Sequence, residues 1–120
     1  MIKYIFTTSF EKDLKRLLRK FRTLEEDLKV AKRDAIELYH LKKIDNESIE
    51  LVPGFCNDEI LICKLRKFAC KALKGRGNKS GIRIIYAYHI DAETIDFIEI
   101  YFKGEKEKED SARIKEYLRK

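Results

Sequence analysis

Apolar positions recur at helical spacing in the first third of the chain and alternate with polar ones in the last half. Phe10, Leu14, Leu17, Leu18 and Phe21 fall at i, i+4, i+7, i+8 and i+11, one stripe of an amphipathic helix, and Lys12, Lys15, Arg16, Arg19 and Lys20 cover its other sides. Thr8 and Glu11 stand at capping-box spacing, or Ser9 caps directly, so the helix begins there. Ahead of it, residues 3–7 carry Tyr4, Ile5 and Phe6 and predict a short strand. Thr23 and Glu26 form a second capping box, opening a helix whose stripe of Leu24, Leu28, Ala31, Ala35, Leu38 and Tyr39 runs to about Leu41. Two such helices joined by one or two residues make an antiparallel hairpin.

The helical period stops at Lys42. Asp45-Asn46 and Pro53-Gly54 are turn signals, with Ile49, Leu51 and Val52 as a brief extended piece between them. Three strand-like runs follow, over residues 59–70, 81–90 and 94–103, the last two joined through Asp91-Ala92-Glu93 as a tight antiparallel hairpin. Residues 74–81 form a basic, glycine-rich loop. Gly104 ends the last strand, and residues 105–120 read as a terminal helix carrying Ala112, Ile114, Tyr117 and Leu118. The order β-α-α-β-β-β-α defines an α+β class, with the N-terminal strand and helical hairpin packed on a small, mainly antiparallel sheet. All 120 residues fit one domain.

Strand parity sorts the side chains into two faces. Leu61, Cys63 and Leu65 share one side of the first run, with Lys64 and Arg66 on the other, roughly 7 Å apart. Ile82, Ile84, Tyr86, Tyr88 and Ile90 oppose Arg83, Ile85, Ala87 and His89. Glu99, Tyr101 and Lys103 oppose Ile98, Ile100 and Phe102. Lys64, Arg66, Arg83, Tyr101 and Lys103 are thereby expected on one common open face, with the helices on the other. Cations interleaved with an aromatic ring suit single-stranded RNA, whose phosphates meet Lys and Arg and whose bases stack on rings. A solvated sheet face has the same pattern.

Composition sharpens this through its distribution. Hydrophobic residues are 44% of the chain, enough for a core, and the net charge is +6. Between Ile60 and Ile90 lie eight basic residues (Lys64, Arg66, Lys67, Lys71, Lys74, Arg76, Lys79 and Arg83) and no Asp or Glu; the other 89 positions hold 19 basic and 21 acidic residues. The excess sits in the sheet and its loop. No apolar run reaches the length of a membrane span or a secretory signal, which predicts a soluble, cytoplasmic protein with no membrane partner.

Other chemistry finds little purchase. Cys56, Cys63 and Cys70 match no usual zinc spacing, and reduced, mostly buried thiols are the simpler reading. Gly75-x-Gly77 lacks the spacing of a nucleotide-binding loop. His40, at a helix end, is expected exposed or capping, and His89 near a strand end joins the open face. No triad order and no carboxylate cluster on the basic segment presents itself.

The chain resembles the RelE/ParE superfamily of bacterial and archaeal toxins over nearly its whole length. The likeness is carried by the opening strand and helix at residues 6–14, by Cys63-Lys64-Leu65-Arg66-Lys67-Phe68, by Gly81-Ile82-Arg83-Ile84-Ile85-Tyr86, similar to the family's glycine-x-Arg-Val-Ile-Tyr strand, and by residues 98–106. The resemblance implies a RelE-like messenger-RNA interferase, an endoribonuclease acting in the ribosomal A site without metal or other cofactor. It also implies a cognate antitoxin protein that wraps the toxin, and partnership with mRNA and a 70S-type ribosome. Such enzymes drive the RNA 2′-hydroxyl onto the adjacent phosphate, leaving a 2′,3′-cyclic phosphate. Arg83 would hold the scissile phosphate, Lys64 and Arg66 would orient RNA and offset charge, and a lysine of lowered pKa would serve as base. Tyr101 or Tyr117 would stack a base or assist proton transfer. Lys103 completes the catalytic set, with Lys67, Lys71, Lys74, Arg76, Lys79 and Lys106 as RNA contacts. Strong nucleases of this type carry an arginine just past the last strand, where this chain reads Lys103-Gly104-Glu105-Lys106-Glu107-Lys108. A ParE-like gyrase poison without nuclease activity and an attenuated RNA-binding relative are the alternatives.

Overall fold

The first strand, β1 (Lys3–Phe6), lies at one edge of a five-stranded sheet and runs parallel to the last strand, β5 (Thr94–Phe102). The computed structural model describes residues 1–119. β4 (Ile82–His89), β3 (Ile60–Leu65) and β2 (Ile49–Leu51) follow antiparallel, giving the order β1-β5-β4-β3-β2. The fold is the mixed α+β arrangement that the patterns predict, and the brief extended piece at Ile49 is the second edge strand.

Helix α1 (Thr8–Leu18) buries Phe10, Leu14 and Leu17 against the sheet. Its cap is Thr7, one residue before the predicted box: the hydroxyl accepts from the Phe10 amide at 3.3 Å and donates to the Phe97 carbonyl at 2.7 Å, tying the helix start to β5. Helix α2 (Leu24–Ala31) passes through a π turn over Lys32–Ile36 into α3 (Glu37–His40). A π turn adds one residue, so it advances the buried stripe by one position. Ile36 and His40 are buried where helical periodicity alone selects Leu38 and Tyr39. His40 is thus neither exposed nor a cap: it is 4% exposed, with Nε2 2.7 Å from the Tyr86 hydroxyl and its ring centre 4.2 Å from that of Tyr88 at a 32° tilt.

The sheet separates two cores. The α1–α3 side holds Phe10, Leu17, Leu24, Ile36, Leu65, Ile82, Ile84, Tyr86 and Phe97. The other side holds Val52, Ile62, Ile85, Ala87, Ile98, Tyr101 and Ile114, closed by α4 (Ser111–Arg119). Ile98 therefore faces the side of Glu99 and Tyr101, against its parity, because a bulge opposite Ile85/Tyr86 pairs Ile85 with Glu99 and Tyr86 with Phe97 and leaves Ile98 as the extra residue.

Two predicted lengths also change. β3 ends at Leu65 rather than residue 70; the Arg66 amide makes the last bond of its ladder with β2, to the Ser48 carbonyl at 2.7 Å. The terminal helix starts at Ser111 rather than 105, and residues 104–110 form a turn-rich strap. All three cysteines are free thiols, Cys63 and Cys70 buried and Cys56 exposed. Among the described residues no helix is long and apolar enough to cross a membrane.

Candidate nucleic-acid site

The three central strands bring the predicted residues into two rows on the α4 side of the sheet. Register places Lys64 opposite Ile85 and Ile85 opposite Glu99, and, one step along, Arg83 opposite Tyr101. Arg66 continues the second row just beyond the end of β3. There the Arg83 guanidinium donates to the Arg66 carbonyl at 2.5 Å, using one of its donors to brace the chain and leaving the others for a ligand.

The sheet end opens into a cleft of about 510 Å³ lined by Glu47, Arg66, Lys67, Asn78, Lys79, Gly81, Arg83 and Lys103. Its shape depends on Gly81, whose φ is +86° and where an added Cβ would stand 3.3 Å from the Phe102 ring. The Gly81 carbonyl accepts from the Lys103 amide at 2.8 Å, so the same turn sets Lys103 at the rim. Ser80 is fully buried; its hydroxyl donates to the Phe68 carbonyl at 2.6 Å and accepts from the Ile82 amide, closing the basic loop onto the start of β4. Arg66 is paired with Glu50 at 3.2 Å and Lys67 meets Glu47 at 4.0 Å. Lys79, Arg83 and Lys103 have no ion-pair partner among the described residues. The cleft thus concentrates five cations and one lining carboxylate, an electrostatic seat for a polyanion.

The expected common open face is only half open. Tyr101 is 2% exposed beneath α4, and its hydroxyl has no hydrogen-bond partner. Burial raises its pKa, with the neighbouring Lys64 opposing. Lys64 is clasped by Glu109 at 2.9 Å. Burial pulls the Lys64 ammonium down, but Glu109 and the Tyr101 phenol outweigh it and hold it above its ordinary value. Lys64 is therefore not a lysine of lowered pKa in this arrangement, contrary to what a base requires. Lys106 reaches the buried Glu99 carboxylate, 5.7 Å from the Tyr101 ring centre, and the Asp110 amide donates to the same carboxylate at 2.9 Å.

Tyr117 and His89 lie at the far end of the face. His89 Nε2 is 2.7 Å from the Tyr117 hydroxyl and 3.2 Å from Asp96, and Tyr117 donates to Asp96. His89 lies six strand steps from Arg83, roughly 20 Å, so Tyr117 cannot act on a phosphate held by Arg83. Lys71, Lys74 and Arg76 project from the loop outside the cleft. The root of that loop is pinned to α2: the Lys71 amide reaches Asp27 at 3.2 Å and the Ala72 amide reaches the Thr23 hydroxyl at 3.0 Å, while Thr23 donates to Asp27 at 2.6 Å. Thr23 thus serves this anchor in place of a capping box. Sequence reading missed Glu47 and Asn78 in the cleft and Glu109 over Lys64. None carries a local signal, since each arrives through a loop.

No family model, curated protein or solved structure matches the chain.

Proposed function

We propose that this chain is the toxin of a type II toxin–antitoxin system, an mRNA endoribonuclease working in the ribosomal A site without a metal. The observation that supports it is the cleft in which Arg66, Arg83 and Lys103 converge at the sheet end with Lys67 and Lys79 beside them. In the reaction the 2′-oxygen bonds to the adjacent phosphorus and the bond to the 5′-oxygen breaks. The 2′-hydroxyl proton leaves as attack proceeds, and a proton reaches the departing 5′-oxygen, giving a cyclic phosphate and a 5′-hydroxyl end. Negative charge gathers on the phosphoryl oxygens in the transition state, where fixed cations stabilise it more than in the ground state. Arg83, braced on the Arg66 carbonyl, holds the phosphate, and Arg66 and Lys103 flank it. A cognate antitoxin that masks this cleft completes the reading.

The covered Lys64 and Tyr101 support a second reading, a relative that binds RNA without turning it over. One experiment separates the two. Incubation with translating ribosomes should yield new 5′-hydroxyl mRNA ends, and Arg83→Ala should reduce them at least a hundredfold with thermal stability intact. Binding of RNA with no new ends supports the second reading, and an Arg83→Ala protein that cleaves normally removes Arg83 from the site.

A further inference from the structure

The strap over residues 104–110 leaves the sheet beside the cleft and is fastened differently from the helix that follows it. Helix α4 docks through Ile114, which is fully buried. The strap buries no such side chain: residues 104–108 are exposed, and Glu109 and Asp110 are half-buried. Its backbone is tied near its two ends, through the Glu105 and Lys106 amides to the Phe102 carbonyl and through the Asp110 amide to the Glu99 carboxylate. Between these ties the amides of residues 107–109 bond to no carbonyl among the described residues. Over that span the strap is held by Glu109, whose carboxylate accepts from the Lys64 ammonium at 2.9 Å.

The clasp falls on the cation next to the cleft. Lys64 is two strand steps, roughly 7 Å, from Arg66 on the same face, and Tyr101 stands opposite Arg83 in the row that feeds the cleft. A carboxylate thus sits on the next cation that a strand held by Arg83 would meet. Its fit is partial. Glu109 satisfies Lys64, but the Tyr101 hydroxyl beside that ammonium is buried without a partner. A buried hydroxyl left unpaired is costly. A carboxylate has two oxygens in one plane, whereas a phosphate directs its oxygens several ways, so a phosphate on Lys64 can also accept from Tyr101. Nor is the clasp required to hold α4, since Ile114 does that.

We infer that the strap is a latch: Glu109 holds the seat of a second RNA phosphate on Lys64, and a bound strand opens the strap by displacing that carboxylate. The inference rests on the RNA reading of the cleft. The strand exchanges one anion for another on Lys64, so affinity is reduced by the fraction of chains whose strap is open, and the exchange adds nothing to the salt dependence. Glu109→Gln frees Lys64. Glu107→Gln is its control, because it removes the same charge from the same strap at an exposed residue with no ion pair among the described residues. Lys64→Gln combined with Glu109→Gln removes the seat and leaves the strap unlatched. The probe is a short single strand bearing 2′-O-methyl groups, which block 2′-hydroxyl attack.

The wild-type chain should bind the strand, and binding should raise amide hydrogen exchange over residues 104–110 while α4 stays protected. Glu109→Gln should bind at least about tenfold tighter. Its log affinity should also fall more steeply with log salt by about 0.7, the share of one further phosphate on a freed cation. The double variant should lose both changes, and Glu107→Gln should behave as wild type. Unchanged affinity in Glu109→Gln, with binding still abolished by Arg83→Gln, overturns the latch and leaves the reading of the cleft standing. An equal gain in Glu107→Gln, a gain that the double variant keeps, or strap exchange that falls when the strand binds also overturns it. A Glu109→Gln gain that Arg83→Gln leaves untouched upholds the seat on Lys64 and removes the reading of the cleft. Binding by neither wild type nor Glu109→Gln removes both.

Discussion

Burial and the nearby Lys43 ammonium push the His40 imidazole down to about 4, from an ordinary value of 6.5. Tyr86 and Cys63 face it from the sheet, Tyr39 and Tyr88 flank its ring, and Lys43 and Asp45 close the pocket rim. Burial also pushes the Cys63 thiol up to about 12, so no thiolate is there to stabilise an imidazolium. The unfolded chain takes up the proton near 6.5 and the folded chain only near 4, so between those values the unfolded state binds more protons. Stability therefore falls as pH drops through that window, by about 1.4 kcal/mol per pH unit from this residue alone. Urea unfolding at pH 7.5, 6, 5 and 4 should show that limb. His40→Phe should flatten it while lowering the plateau, because the Tyr86 hydroxyl loses its partner. A variant limb as steep as wild type would assign the acid sensitivity to other groups.

At the scale of elements, the strap over residues 104–110 and the helix α4 are held by different forces. Ile114 docks α4 into Val52, Ile62, Ile85, Ala87 and Ile98. The strap is held by charge: Glu109 on Lys64, Lys106 on Glu99, and Glu105 on Arg16 and Lys20. Glu109→Gln should consequently loosen the strap and leave the helix in place. Amide hydrogen exchange should rise over residues 104–110 but not over α4, with a stability loss of about 1.5–3 kcal/mol for a charge-assisted bond that is four-fifths buried. Unchanged exchange in the strap would show that its backbone turn, not the ion pair, fixes it.

The same contrast explains what could be read from the chain. Helices and strands with a strong period were legible, as was the placing of Arg66, Arg83 and Lys103 on one face of the sheet, since the alternation of side chains along a strand is local. The start of α4 was not, because residues 105–109 are good helix formers, yet Glu105 and Glu109 are taken by tertiary partners, and it is Asp110 that accepts from the Arg113 amide at the helix start. Nor were the π turn that buries His40, the bulge that turns Ile98, or the cover over Tyr101. Each depends on which element packs where.

At the scale of the whole molecule, the net charge of +6 is a sum over regions that do different things. If the cleft binds RNA, affinity should follow the cations that line it and be nearly blind to the total. Of the five, Arg66 and Lys67 already face Glu50 and Glu47, which leaves Lys79, Arg83 and Lys103 to displace counterions. At about 0.7 per phosphate for a single strand, three such cations give a log–log salt slope of about −2. Lys42 and Lys43 stand in the turn after α3, exposed and away from the cleft. Reversing both to glutamate subtracts four units from the net charge, a larger global change than removing three cleft cations. A local site predicts that Lys42→Glu with Lys43→Glu keeps a single-strand slope near −2 at unchanged affinity in about 0.15 M salt, where charges beyond roughly 8 Å are screened. Lys79→Gln, Arg83→Gln and Lys103→Gln together should instead bring the slope close to zero. If the distant reversal flattens the slope as much as the cleft variant does, binding is set by the charge of the whole surface, and the cleft is not the place where RNA is held.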